Sequence, residues 1–440
     1  MHTYMQDYLG KDIYPFHMPG HKRNHMFFPV GLADFDMTEI PGMDILHSAT
    51  GIIRHLQDAI ADFYGADESF LLVNGSTAGI IAAICATCND GSKLYAARNG
   101  HVSMYNGMAL AGASPIYIMP EITPDGLVCG INPNMVDNIE HGATVLIVSP
   151  TYEGFVSDIE AIAEKVHARD GILIVDEAHG AHFSFHDMFP TSALDLGADI
   201  VVQSFHKTLP ALGQMAVLHV KGTRVDLARI NFFLQAVQTT SPSYMLMAQL
   251  DYALNMLWKR PELFDMYANR LTALRNALAA GDSDAIRLSG TEKAGQYGIY
   301  DIDMGKLLFH VPYDISKILA SDYRIQIEMA GGNHMLAMTS VADTDEGMQR
   351  LWAAIGSLNI KLTSQKHMQQ PIYKPINPEI VIPPRQAISC PTKLVPWEES
   401  PGHVAAEIVA TYPPGIAYVA PGERIPEGLP KLATHIRVVV

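Results

Sequence analysis

A carboxylate and a lysine stand 31 residues apart, each at the end of a short apolar run. Asp176 closes GILIVD, and Lys207 follows DIVVQSFH. Runs of this kind, apolar throughout and rich in β-branched residues, mark strands buried on both faces of a parallel sheet. Ligands in such sheets bind outside the carboxyl ends of the strands. Both groups would then face one crevice. The lysine amine can condense with an aldehyde. The carboxylate can keep a pyridine nitrogen protonated, so that the ring accepts electrons. The pair suits pyridoxal 5′-phosphate. Its phosphate needs donors, and Gly75, Ser76 and Thr77 open an apolar helix whose N-terminus offers backbone N–H groups and hydroxyls. Ser204 and His206 flank the lysine and can add more. Singly, each signal is ordinary: an Asp after a strand is commonly a turn residue, and Gly-Ser-Thr is commonly an N-cap. The ordered set is what points to the cofactor.

Two other clusters compete for attention. Asp176, His179, His182 and His186 have spacings that could ligate a metal, but Gly180 and the nearby lysine block favour the cofactor, and no metal is expected. His21, Lys22 and Arg23 form a small basic patch that could meet a substrate carboxylate or a partner subunit; a solvated turn is the simpler expectation. Cys85 and Cys88 form a C-x-x-C inside the helical stretch GIIAAICATC, and Cys129 and Cys390 supply no second pair. Zinc and a disulfide scaffold are therefore not expected.

The elements that must position these residues follow in order. Residues 51–66 have helical apolar spacing, ending at Gly65. The run SFLLV precedes the Gly-Ser-Thr turn, and further strands are expected at Lys93–Ala97, Pro115–Met119, TVLIVSP, GILIVD and ADIVVQS. Helical stretches at 101–111 and 157–169 intervene, and residues 243–280 read as helical. Alternating strands and helices predict a mainly parallel α/β sheet with right-handed crossovers. The expected domains are an N-terminal arm (1–50), a large cofactor-binding domain (51–300) and a small C-terminal α+β domain (301–440). The 440 residues are 48% apolar and 17% charged, with mean hydropathy +0.09, which describes a large buried core. Thirty Lys and Arg against 46 Asp and Glu give a net charge of −16, which argues against nucleic-acid binding. No apolar run reaches the ~20 residues of a membrane helix. The N-terminus lacks the pattern of a secretory signal, so a cytoplasmic enzyme is expected.

Longer blocks add a resemblance. FHMPGHKR (16–23), DMTEIPGMDILH (36–47), FLLVNGSTAGIIAAI (70–84), RNGHVS (98–103), SPTYEG (149–154), IVDEAHGAHF (174–183), DIVVQSFHKTLPALGQ (199–214), TTSPSY (239–244) and YPPGIAYVAPGE (412–423) occur in this order. Together they resemble the Orn/Lys/Arg decarboxylases, pyridoxal-phosphate enzymes of the aspartate aminotransferase fold (fold type I). The length looks like the short form of that family, without an N-terminal wing domain.

The resemblance implies that Lys207 is the Schiff-base lysine and that Asp176 pairs with the pyridine nitrogen. Ala178 would pack on one ring face and His101 on the other; a helix-capping His101 is the plainer alternative. Gly75, Ser76, Thr77, Ser204 and His206 would hold the phosphate, with His179 lining the same pocket or making a structural hydrogen bond. The implied reaction is α-decarboxylation of arginine, lysine or ornithine to CO₂ and a polyamine-type amine, with Lys207 or His206 protonating Cα. Glu39, Asp44 and Glu328 are the candidate partners for a substrate cation. Another fold type I reaction, by an aminotransferase or a lyase, uses the same lysine and aspartate and remains open. A homodimer with its site at the interface is implied. Two departures stand out: Val102 where the family commonly has a basic residue, and SPGHVAAE (400–407) in place of a Gly-Arg-type stretch.

Overall fold

A computed structural model describes residues 8, 10–281, 285–331, 333–362, 377–410 and 416–440. Its centre is a seven-stranded sheet. The strands are β1 (Glu68–Leu72), β2 (Lys93–Ala97), β3 (Ser114–Ile118), β4 (Thr144–Val148), β5 (Ile172–Asp176), β6 (Ile200–Gln203) and β7 (Ala216–Val220). Their spatial order is β1-β7-β6-β5-β4-β2-β3, and β7 alone runs against its neighbours. The sheet is therefore mixed but mainly parallel. β4, β5 and β6 are nearly solvent-free along their length, which is why they are continuous apolar runs rather than alternating ones. The pairing Val148↔Asp176↔Val202 fixes Asp176 in the middle of the sheet's carboxyl edge.

Helices cover both faces. α1 (Ile52–Tyr64) buries Ile53, Leu56, Ile60 and Ala61 on one stripe and stops at Gly65, whose φ of 68° suits glycine. α2 (Gly75–Thr87) and α3 (Val102–Ala111) start just beyond β1 and β2. α2 packs against β6, where Gly79 leaves no room for a Cβ beside Leu72 and Val202. The stretch 243–280 is two helices, Tyr244–Lys259 and Glu262–Ala280. Pro261 separates them, because it lacks an N–H and clashes with the preceding turn.

The N-terminal segment lies on its own chain: Tyr14–Phe16 pairs in parallel with Ile325–Ile327, and Phe16 and Phe27 are fully buried. Two further sheet regions follow from residue 287 on. Arg287–Ser289, Lys306–His310, Met329–Gly331 and His334–Met338 form an antiparallel sheet that shares the main core with the helices Glu262–Ala280 and Asp345–Leu362. The C-terminal region pairs Thr392–Pro396 with His435–Val439 over a core of its own around Trp397, Val419 and Ile436. Residues 412–415 of the YPPGI block lie outside the described residues.

One buried ion pair ties this C-terminal region to the main sheet. Arg98, just beyond β2, donates to Glu423 Oε2 at 2.9 Å, to the Tyr418 carbonyl at 3.2 Å and to Tyr105 Oη at 2.8 Å. Its guanidinium lies 4.7 Å from the Tyr117 ring centroid. Glu423 also accepts from Ala420 N at 2.8 Å. Both side chains are 2% exposed, so removing one leaves the other charged and without water. Arg98→Met should cost about 3–5 kcal/mol of stability. The double variant Arg98→Met/Glu423→Met should recover part of that loss. Urea denaturation checks both, and a single variant within 1 kcal/mol of the parent would contradict the argument.

Candidate active site

Four of the turns at the carboxyl edge of the sheet deliver residues to one crevice. β2 is followed by Asn99 and His101, β4 by Thr151, Tyr152 and Glu153, β5 by Ala178 and His179, and β6 by Lys207. Asp176 lines the same crevice, and Ile416 from the C-terminal region closes one side, bridging to His101.

The charges here are held away from water. Burial pushes the Lys207 amine below its ordinary range, while Asp176 and Glu328 pull it back up. Burial pushes the Asp176 carboxyl up, opposed by Lys207 and by the Ala178 N–H, which donates at 3.2 Å. Lys207 Nζ lies 3.2 Å from His179 Nε2. The other nitrogen of that ring, Nδ1, lies 2.7 Å from Lys306 Nζ. Burial and the neighbouring lysines keep His179 neutral, its pKa well below the usual value. Its ring meets the Tyr152 ring edge-on at 5.1 Å.

His101 proves to be both a pocket residue and a helix cap. Its Nδ1 accepts from Ser103 N at 3.3 Å and sits 2.9 Å from Ser103 Oγ at the start of α3. Burial, then Lys207, push its pKa down to about 4, so the ring is neutral and Nε2 carries the proton. His206 is likewise neutral, burial pushing it to about 4. Its Nδ1–H donates to the Met215 carbonyl at 2.9 Å, leaving Nε2 an acceptor.

The other expected residues divide. Glu328 stands beside the crevice, bonded to a residue that lines it: Oε2 accepts from Met18 N at 2.8 Å, Oε1 accepts from Tyr152 Oη, and its charge reaches Lys207 and Lys306. Asp44 does not line the crevice. It accepts backbone N–H bonds from Ile45, Thr50, Gly51, Ile53 and Arg54 at 2.8–3.2 Å, anchoring the start of α1. Burial works against that charge, but the amides win and hold the carboxyl below its ordinary range. Glu39 also lies off the crevice, half-buried and near Tyr244. The basic patch is not a solvated turn: Lys22 is buried and donates to the carbonyls of His17 and Met338, both at 2.9 Å. Arg23 donates to the Ile13 carbonyl. Of the histidines with metal-ligand spacing, His182 bonds Asp303 at 3.1 Å, and His186 Nδ1 accepts from Met188 N at 2.9 Å. Three site residues went unnamed in the sequence reading. Asn99 and Glu153 sit inside quoted blocks directly after strands, a signal that was available. Lys306 begins a strand and had none.

Comparison with known proteins fits this geometry. Residues 1–305 match the family model for the Orn/Lys/Arg decarboxylase major domain, and residues 366–439 match that for its C-terminal domain. The chain belongs to the Orn/Lys/Arg decarboxylase family. It is 32% identical to an arginine decarboxylase of Bacillus subtilis, over 97% of this chain and 91% of that one. It is 31% identical to an arginine decarboxylase of Halalkalibacterium halodurans, over 94% and 88%. The fold is that of the Francisella novicida lysine decarboxylase, with TM-score 0.78 at 18% identity, covering 94% of this chain and 76% of that one. The protein is an amino-acid decarboxylase of fold type I, and its cofactor is pyridoxal 5′-phosphate.

The residues present fit that cofactor. Ser204 Oγ is fully buried yet has no hydrogen-bond partner among the described residues, beside the lysine where a phosphate oxygen would be welcome. The first turn of α2 has no side-chain cap, and Gly75, at φ 76°, turns the chain there as only glycine does easily. Asp176, buried with a raised pKa, is suited to a protonated ring nitrogen.

Asp44→Asn should lower stability by about 1–2 kcal/mol at neutral pH, the loss of a charged helix-start acceptor. A carboxyl depressed in the folded state stabilises above its unfolded pKa of about 3.9, and that contribution disappears as pH falls through the folded value. The deficit of the variant should therefore shrink in acid. Thermal unfolding at two pH values checks this; parent-like stability at neutral pH would contradict the structural role.

Proposed function

We propose that this chain decarboxylates a basic L-amino acid at Cα, with arginine the first candidate, releasing CO₂ and the corresponding polyamine-type amine. The observation that carries the reading is Glu328, a carboxylate held beside the crevice by Met18 N and the lining residue Tyr152, within electrostatic reach of Lys207. A substrate with a distal cation needs such a partner, because an unpaired buried charge is expensive. Glu153, buried in the crevice lining itself, adds a second carboxylate. The two full-length relatives at 31–32% identity bear the name arginine decarboxylase, which supports arginine over lysine and ornithine.

When bound, pyridoxal 5′-phosphate supplies the sink for the electron pair left as the Cα–carboxylate bond breaks. Gly75, Ser76, Thr77 and Ser204 would hold its phosphate; His206, expected there from the resemblance, gives its one N–H to the Met215 carbonyl and has none for a phosphate oxygen. Asp176 would keep the proton on its ring nitrogen, and Ala178 and His101 would line its two faces. Lys207 would carry its aldehyde carbon. The apolar strand ends exclude water, which favours loss of a charged carboxylate. Lys207 is the better donor of the proton that Cα receives, because the one N–H of neutral His206 is given to the Met215 carbonyl.

A second copy of the chain completes the reading. Phe35, Met37, Ile40, Ile45 and Ile52 are all exposed on one stretch around the start of α1. Such a patch is unusual on a monomer. The TTSPSY segment lies beside the first turn of α2, where Thr239 N donates to Asn74 Oδ1 at 3.3 Å, and both residues are exposed. Sedimentation at assay concentration should therefore give a dimer, and a fully active monomer would refute the shared site.

The deciding assay is product analysis with arginine, lysine and ornithine. CO₂ and an amine are expected, most rapidly from arginine. Borohydride treatment followed by peptide mapping should fix the cofactor on Lys207. Glu328→Gln should raise KM for the basic substrate at least tenfold with a smaller change in kcat, the mark of lost uniform binding. A keto acid product would place the chain among the aminotransferases, and an unlabelled Lys207 would overturn its role.

A further inference from the structure

Lys306 is the buried group that the reading above leaves unused. It lies at the start of the strand Lys306–His310, outside every motif block, and is 3% exposed. Its Nζ has three acceptors: His179 Nδ1 at 2.7 Å, the Tyr152 carbonyl at 3.2 Å and Met338 Sδ at 3.5 Å. Three acceptors match the three donors of an ammonium group. The Tyr152 ring lies 5.4 Å from the same nitrogen, a cation–π distance. Asp303, Glu328 and Glu153 also face it, opposed by Lys207. Burial brings Lys306 down to about 8, so it is still charged near neutrality. The chain is shaped around it: a Cβ on Gly154, at φ 100°, would meet Lys306 Cγ at 2.7 Å. That accounts for the glycine of SPTYEG.

A neutral imidazole has one N–H and one lone pair. If Lys306 donates to Nδ1, the proton of His179 must sit on Nε2. That N–H points at Lys207 Nζ, 3.2 Å away. It can be accepted only by an amine with a free lone pair; an ammonium there would set N–H against N–H. His179 is the single hydrogen-bond partner of Lys207 among the described residues. The other groups around Lys207 are Asp176 and Glu328, which favour its charge, and neutral His101 and His206. We propose that Lys306 is a positioning residue: through His179 it fixes the imidazole tautomer and so holds Lys207 as the neutral amine that can attack an aldehyde. This rests on the reading of Lys207 as the cofactor lysine, since only that reading makes a free amine useful.

The test reads the lysine itself. The full chain, stripped of cofactor, is labelled competitively with acetic anhydride across a pH series, and the Lys207 peptide is quantified by mass spectrometry. Lys306→Met should move the onset of Lys207 labelling up by about one pH unit, an approximately tenfold loss of reactivity at neutral pH. Simple repulsion between two lysines would act in the same direction, so the change is repeated with His179→Asn. There the relay is already cut, and Lys306→Met should add little. Lys306→Gln serves as the second variant if the methionine protein fails to fold. An unmoved labelling curve overturns the proposal. So does an equal shift in the His179→Asn background, which would mean repulsion through space. Because no cofactor is present, the outcome is separate from the reading of Lys207. If the parent protein fails to fix pyridoxal 5′-phosphate on Lys207, the function falls, whatever the titration shows.

Discussion

The crevice at the carboxyl edge of the sheet must keep amines and carboxylates close together with almost no water. Lys207, Asp176 and Glu153 line it, Lys306 and Glu328 bond to its lining residues Tyr152 and His179, and none of the five is well exposed. A lone buried charge would cost several kcal/mol, so each must find a partner within the same small space. That requirement explains features that look unrelated. Neutral His179 stands between Lys207 and Lys306, because an imidazole can join two lysines without adding a charge of its own. Tyr152 is held between Glu328 and the face it offers to Lys306. Lys22, from the N-terminal segment, brings a further cation to the Met338 carbonyl. The N-terminal segment is thus part of the site's electrostatic surroundings, rather than a loose arm.

Parallel β-structure is what makes such convergence possible. β2, β4, β5 and β6 all end at the same edge, so four turns meet in one place. The antiparallel β7 inserts between β1 and β6 and ends at the opposite edge. The small antiparallel sheet approaches from the other side with Lys306 and Glu328, and the C-terminal region adds Ile416 through its bridge to His101. The site is closed by three parts of the chain, and Arg98 with Glu423 holds the last of these against the sheet.

Residues that follow buried strands were legible in the sequence, because a strand end and a helix start confine them to a known place. Asp176, Lys207, His101 and the Gly-Ser-Thr turn are all of this kind. Glu328 was found only through resemblance, since it sits between two short strands with no pattern of its own. Asp44 was misread for a physical reason. Its partners begin one residue on and extend ten residues on, across a turn that no helix-capping rule of fixed spacing describes. The carboxylate looked available, but it is consumed by backbone amides. Lys22 was misread in the opposite sense. A run of three basic residues suggests a solvated surface, yet positive φ angles at Lys22 and Arg23 turn the chain so that one of them points inward.

Lys306 shows why some of the site had to come from tertiary structure. A lysine at the head of an apolar strand ordinarily marks a sheet edge in water. Its burial depends on the absence of a side chain at Gly154, some 150 residues earlier, and on acceptors from three separate segments. No local pattern encodes that meeting. The same argument runs in reverse for the motif SPTYEG. Its tyrosine, glutamate and glycine have no common purpose when read alone. With Lys306 in place, the Tyr152 carbonyl accepts from it, Glu153 balances it and Gly154 gives it room to pass. The motif is spaced by the needs of a residue that it does not contain.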